Sequence, residues 1–250
     1  MTRIEVATVN EKIANGYNFD FGKYFSDGFE IFKKEWVMFS LYGLVSTFII
    51  LFSVITIVGP LFISYPVLLG YSVAAEKVER GEPLELKDFF GAFKNYGDYF
   101  LLMLCMIGII IILVLPLFLF GAMIGFAGES NSEAMGAIGG IFLMLYYFLF
   151  YIGIFVLQSA MSFAPYLIHY GGYSAIDSLK TSIKLFRKQP WMILVFVFVM
   201  GMLGGVGYIA CVIGIFVSMA AARVIQYAMV KDVLMKSSYS EIDQIGKSGI

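Results

Sequence analysis

Trp36–Ala75 reads WVMFSLYGLVSTFIILFSVITIVGPLFISYPVLLGYSVAA and contains no Asp, Glu, Lys or Arg. A helix needs roughly 20 apolar residues to span hydrocarbon, so this stretch is long enough to cross twice. Lys33 and Lys34 precede it, and Lys77 and Arg80 follow it. Because Lys and Arg mark the cytoplasmic side of a membrane, a stretch that starts and ends among them returns to the side it left. Val58-Gly59-Pro60 supplies the turn, since Gly tolerates a sharp bend and Pro suits the first position of a new helix.

Three further stretches have the same character: Tyr99–Gly128, Ala134–Ile176 and Gln189–Ala222. All 17 Lys and Arg lie outside the four, in 1–35, 76–98, 177–188 and 223–250, whereas 129–133 holds only the acids Glu129 and Glu133. Gln189–Ala222 repeats the double crossing around Gly204-Gly205-Val206-Gly207. Its second helix runs past Arg223, whose long stem carries the charge to the interface. The middle pair crosses once each way, joined outside by the acidic loop. The predicted spans are Trp36–Ile57, Pro60–Val78, Phe100–Met123, Gly136–Tyr166, Trp191–Gly204 and Tyr208–Met229. For the first and last pairs the alternative is a re-entrant hairpin, its non-helical backbone buried in protein.

Bulk composition agrees. Charged residues make up 14% and hydrophobic ones 60%, with mean hydropathy +0.86, against about 25% and 45–50% in soluble domains. A net charge of −1 argues against a phosphate-neutralising nucleic-acid binder. Residues 1–35 lack the apolar core and small-residue cleavage site of a signal peptide, and no lipidation motif is expected at either end. Cys105 and Cys211 sit in apolar runs and read as small hydrophobes.

A weak repeat precedes the odd-numbered spans. Phe25, Phe29 and Phe32 lead to Lys33, Lys34 and Trp36; Leu86, Phe89, Phe90 and Phe93 to Lys94, Tyr96 and Tyr99; Ile176, Leu179, Ile183 and Phe186 to Arg187, Lys188 and Trp191. The apolar residues recur at three- and four-residue steps, as on one stripe of a helix. In the third unit Lys180, Lys184, Arg187 and Lys188 occupy the remaining surface, and Ser174 with Asp177 resembles a capping box. Such helices lie flat in the headgroup layer, their cations near anionic lipid. The predicted fold is therefore all-α: six transmembrane helices as three hairpins, each preceded by a cytoplasmic amphipathic helix. A polar cytoplasmic segment, 1–24, precedes the membrane domain, 25–235, and a polar cytoplasmic tail, 236–250, follows it.

Catalytic chemistry finds little to work with. No charge falls at a span's centre, which disfavours proton-coupled transport. Glu76, Asp98, Gln158 and Arg223 sit near the cytoplasmic boundary, where Glu76 and Arg223 either pair or snorkel apart. His169 is the only histidine, too few for a multi-histidine metal site, and HExxH, GxSxG and Walker patterns are absent. The letters of Gly205–Ala210 match GxGxxA but follow no strand. Tyr96-Gly97-Asp98 offers one aspartate where an intramembrane aspartyl protease needs two. No catalytic residue, cofactor or metal is expected. Gly121 with Gly125, Gly136 with Gly140, and Gly201 with Gly205 form GxxxG pairs at the outer ends of spans, which predict tight helix packing there.

Gly28-Phe29-Glu30-Ile31-Phe32-Lys33-Lys34, Lys87-Asp88-Phe89-Phe90-Gly91-Ala92-Phe93-Lys94, and Phe163-Ala164-Pro165-Tyr166-Leu167-Ile168 followed by Ala175–Phe186 carry a resemblance. Across most of residues 15–235 the chain resembles a family of bacterial polytopic membrane proteins related to the membrane domain of some glycerophosphodiester phosphodiesterases. The resemblance implies a multi-pass inner-membrane protein and carries over no catalytic residues. Some relatives bear the label carotene oxygenase, a class similar in needing several histidine iron ligands, which a lone His169 cannot supply. The expected function is a non-catalytic scaffold or accessory subunit that contacts another protein or anionic lipid at the cytoplasmic face. The alternative is a carrier or channel for a lipid or other apolar small molecule, which would call for a polar cavity lined by Ser64, Tyr71, Gln158 and Ser162.

Overall fold

The computed structural model describes residues 3–56, 58–94, 96–129, 133–209 and 211–235; the tail expected over 236–250 lies outside them. Among the described residues there is no strand. The helices are α1 (Val6–Asn15), α2 (Phe21–Lys34), α3 (Trp36–Val54), α4 (Gly59–Glu79), a 3-10 helix (Leu86–Ala92), α5 (Tyr96–Glu129), α6 (Glu133–Ala160), α7 (Ala164–Gly171), α8 (Ala175–Lys188), α9 (Pro190–Val206) and α10 (Cys211–Leu234).

Trp36–Val54, Tyr96–Phe126 and Gly136–Gly171 are long and apolar enough to cross a membrane. Taken as one broken span, α8 and α9, bent by 104° at their junction, make a fourth. These are the dimensions of a membrane protein, with three or four such helices where the sequence predicts six. The shortfall has a plain cause. α9 has 17 residues, α4 carries Glu76, Lys77 and Glu79 in its last turn, and α10 carries Arg223 in its middle and Lys231 and Asp232 in its last turn.

Chain neighbours pack in pairs, α3 on α4, α5 on α6 and α9 on α10. The predicted fourth span, Gly136–Tyr166, falls within the membrane-length stretch Gly136–Gly171, whose helix is interrupted once. Pro165 would clash with the carbonyl four residues back, so α6 stops at Ala160 and α7 restarts after a buried turn at Met161–Phe163. The second predicted surface helix is instead a 3-10 helix that presses Phe89 and Ala92 into the interior against α4.

Two apolar clusters form the interior. One joins Ile4, Val9, Tyr17 and Phe19 to α7, α8, α9 and the last turns of α10. The other joins α2, α3, α4 and the 3-10 helix to a different face of α10, at Ala220, Ala221, Val224 and Tyr227. The stretch before α2 is thus built into the core, and the Ile4 amide donates to the Tyr170 carbonyl at 3.1 Å. Tyr42 shows how the second cluster is tied together: fully buried, it stacks on Phe89 at 4.2 Å and donates to the Val67 carbonyl at 2.7 Å. In contrast, the mid-parts of α5 and α6 leave Ile112, Phe118, Met144 and Phe148 bare. Close packing and charge share one end of the molecule, and apolar helices project from it.

Candidate functional site

α8 begins with two acceptors for its unpaired amides. Ser174 Oγ accepts from Asp177 N at 3.2 Å, as the capping pattern predicts, and Asp98 Oδ1 accepts from Ala175 N at 3.1 Å. Lys180, Lys184, Arg187 and Lys188 are all exposed. Lys188 also donates to the Ala14 carbonyl at 3.2 Å, fastening the end of α8 to the end of α1.

The face that α8 turns to the protein is not its apolar stripe. Ala175, Ser178, Ser182 and Leu185 are buried, while Ile176 is exposed and Leu179, Ile183 and Phe186 are half-buried. The break after α6 explains this. Ala160's carbonyl and Phe163's amide lose their helical partners there, and Ser182 Oγ serves both, donating to the first at 2.5 Å and accepting from the second at 3.3 Å. The apolar stripe is left between the protein-facing side and the basic side, the arrangement of a helix lying at an interface. On α2, Lys33 and Lys34 are exposed, and Lys33 lies over the Phe29 ring at 5.2 Å.

A groove of about 630 Å3 opens between α6, α9 and α10. Phe155, Phe196, Met200 and Met219 give it apolar walls. Its polar lining comes from Gln158 on α6, Ser162 just beyond it, and Arg223 and Gln226 on α10. Arg223 Nη1 donates to Gln226 Oε1 at 3.0 Å. Ser162 is only 7% exposed, and its Oγ has no hydrogen-bond partner among the described residues.

Of the four residues predicted to line a polar cavity, the groove takes Gln158 and Ser162. Ser64 donates within α4 to the Pro60 carbonyl at 2.6 Å, and Tyr71 packs edge-on against Tyr42 at 4.9 Å in the other cluster. Among the described residues, neither Ser64 nor Tyr71 lines this groove. Glu76 and Arg223 do not pair: Glu76 holds Arg80 at 2.9 Å. What the sequence does not reveal is that Arg223 lines the same groove as Gln158 and Ser162, because that depends on where α6 ends and on how α10 is rotated.

The glycine pairs are placed differently from the tight contacts. A Cβ on Gly121, Gly125, Gly140, Gly201 or Gly205 would meet nothing within 4 Å, and Gly136 is half-buried. One tight helix approach is at Gly28, where a Cβ would lie 2.5 Å from the Ile225 Cα. Charge at this end is largely paired: Lys231 with Glu79 at 2.7 Å, Lys77 with Asp88 at 2.7 Å, and Lys23 with Asp232, whose other oxygen accepts from the Tyr24 hydroxyl at 3.1 Å. His169 Nδ1 meets the Tyr99 hydroxyl at 3.2 Å. Among the described residues no three His, Cys, Asp or Glu converge as metal ligands. Cys105 is a half-buried free thiol, and the Cys211 side chain lies outside the described set.

Fold and surface define the class as an all-helical membrane protein with a polar-floored groove and exposed basic helices. No protein-family model matches the chain, and comparison with curated proteins and with solved structures found no match. Nothing in these comparisons bears on the resemblance to the phosphodiesterase-linked membrane domain.

Proposed function

We propose that the chain is a six-span protein of the inner, cytoplasmic membrane with both termini in the cytoplasm, where it serves as a non-catalytic scaffold or accessory subunit held on the anionic leaflet by α2 and α8. The observation that supports this best is the elbow at Gln189, where a helix with four exposed basic residues turns by 104° into an apolar one. A cation near an anionic membrane surface contributes about 1 kcal/mol, so the α8 cluster favours that orientation by several times the thermal energy. Trp36 and Trp191, 52% and 79% exposed, stand at the starts of α3 and α9, the level that interfacial aromatics occupy. α4, α9 and α10 complete the six crossings, the charged last turns of α4 and α10 lying in the headgroup layer. The groove supports a second reading, a carrier for a lipid or other apolar small molecule.

Brominated lipids test the orientation. In vesicles, the tryptophan fluorescence is expected to be quenched more strongly by bromines near the headgroup than by bromines at chain ends; the reverse order overturns the surface-helix reading. Recovery of a stoichiometric protein partner from native membranes supports the scaffold, whereas substrate flux into vesicles by the purified protein replaces it with the carrier.

A further inference from the structure

We propose that the groove between α6, α9 and α10 binds one anionic phospholipid of the cytoplasmic leaflet, its phosphate on Arg223, Gln226 and Ser162 and its chains along Phe155, Met200 and Met219. The inference rests on the membrane reading above and deepens its lipid-contact part.

Arg223 is the exception among the cations near the core. Lys23, Lys77, Arg80 and Lys231 each hold a carboxylate. For Arg223 the described residues offer only the Gln226 carboxamide, and none of the described residues lining the groove is acidic. Its Cα stands eight residues before Lys231, about 12 Å down the helix axis at 1.5 Å per residue, and so beneath the paired layer. Cations at such depth in membrane proteins are found with partners.

A second, independent feature sits in the same groove. Ser162 Oγ is buried without a partner, whereas buried hydroxyls are nearly always hydrogen-bonded. A phosphate oxygen would satisfy both groups at once, since a guanidinium fork matches two oxygens of one phosphate and leaves room for a hydroxyl donor. The walls running outward from this polar floor are Phe and Met, suited to acyl chains. Zwitterionic lipid has the same phosphate but adds an ammonium group, for which the groove holds no carboxylate. The net anion is therefore the better match.

The test uses the purified full-length protein in detergent containing equal amounts of phosphatidylglycerol and phosphatidylcholine, analysed by native mass spectrometry. The wild type is expected to retain one phosphatidylglycerol at activation energies that strip phosphatidylcholine. Arg223→Gln is expected to reduce that retention at least tenfold, while neutralising Lys180, Lys184, Arg187 and Lys188 to Gln leaves it in place. Met219→Trp, which fills the groove without altering its charge, should also expel the lipid, and it serves if Arg223→Gln does not fold. Equal retention of the two lipids, undiminished phosphatidylglycerol on either folded groove variant, or preferential capture of added oleate overturns the proposal. The bromolipid measurement reports the membrane orientation separately, so failure of that reading is distinguishable from failure of the lipid site.

Discussion

Gly28 and Gly121 look alike in sequence, each a glycine in a helix, and have opposite standing in the fold. Gly28 lets α2 lie on α10 with no side chain between them. Gly28→Val forces the backbones apart, and overpacking of this kind costs about 1–3 kcal/mol or more; the melting temperature in detergent is expected to fall. Gly121→Ala meets open space and removes a weak helix former, so it should leave stability unchanged or raise it by up to about 1 kcal/mol. Equal losses from both would refute this assignment. Sequence spacing singled out Gly121 because GxxxG describes helix pairs in the abstract. The contact at Gly28 depends on a residue almost two hundred positions away and leaves no local pattern.

Asp88 gives the pH dependence. Partial burial pushes its carboxyl up, but the hydrogen bond from Lys77, the Glu85 amide and the nearby ammonium charges outweigh this, and its pKa lies below the usual carboxylate value. A depressed folded-state pKa gives stability that is present above the unfolded value, about 3.9, and is lost as pH falls through the folded one. A titration of melting temperature should therefore show the Asp88 contribution flat from neutral pH to about 5 and declining below about 4. Asp88→Asn should lose about 1 kcal/mol at neutral pH and lack its share of the acid decline. An unchanged acid limb in the variant would show that the Lys77 contact contributes nothing.

Among the elements, α8 shows best where sequence reading succeeds and where it stops. Its start, its basic surface and its turn into an apolar helix were all legible, because caps, charges and period are local. The side it presents to the protein was not, since apolar periodicity points to Ile176 and Phe186 while the actual contact is made by Ala175, Ser178 and Ser182. The demand for a serine arises at Pro165, which breaks the previous helix and frees two backbone groups. Ser182→Ala leaves both without a partner at a cost of about 1–3 kcal/mol. Hydrogen exchange should show faster loss of the Phe163 amide deuteron in that variant, and unchanged protection there would rule out the repair role. The 3-10 helix is the converse case: its Phe spacing fits an amphipathic helix, but burial of Phe89 against Gly70, where a Cβ would meet the Phe89 carbonyl at 2.4 Å, draws it into the core.

At the scale of the molecule, composition revealed the membrane class at once, because a shortage of charge is a bulk property. The number of crossings is less directly visible, since α4 and α10 carry their charged last turns into a packed protein layer. Cysteine labelling addresses the topology. In a Cys105→Ala, Cys211→Ala background, Lys87→Cys and Lys180→Cys, both at exposed positions, should react with a membrane-impermeant maleimide from the same side only. Reaction from opposite sides would refute the six-span arrangement.

The position of α10 in both apolar clusters has a mechanical consequence. Arg223 opens into the groove beside α6 and α9, and two residues later Ile225 is clamped under Gly28 of α2. A residue step of two places these side chains on nearly opposite faces of one rigid rod. With Gly28 leaving no slack, α10 cannot slide or roll on the groove side without dragging α2, and occupancy among the hydrocarbon chains would be transmitted to a helix that presents Lys33 and Lys34 to the aqueous side.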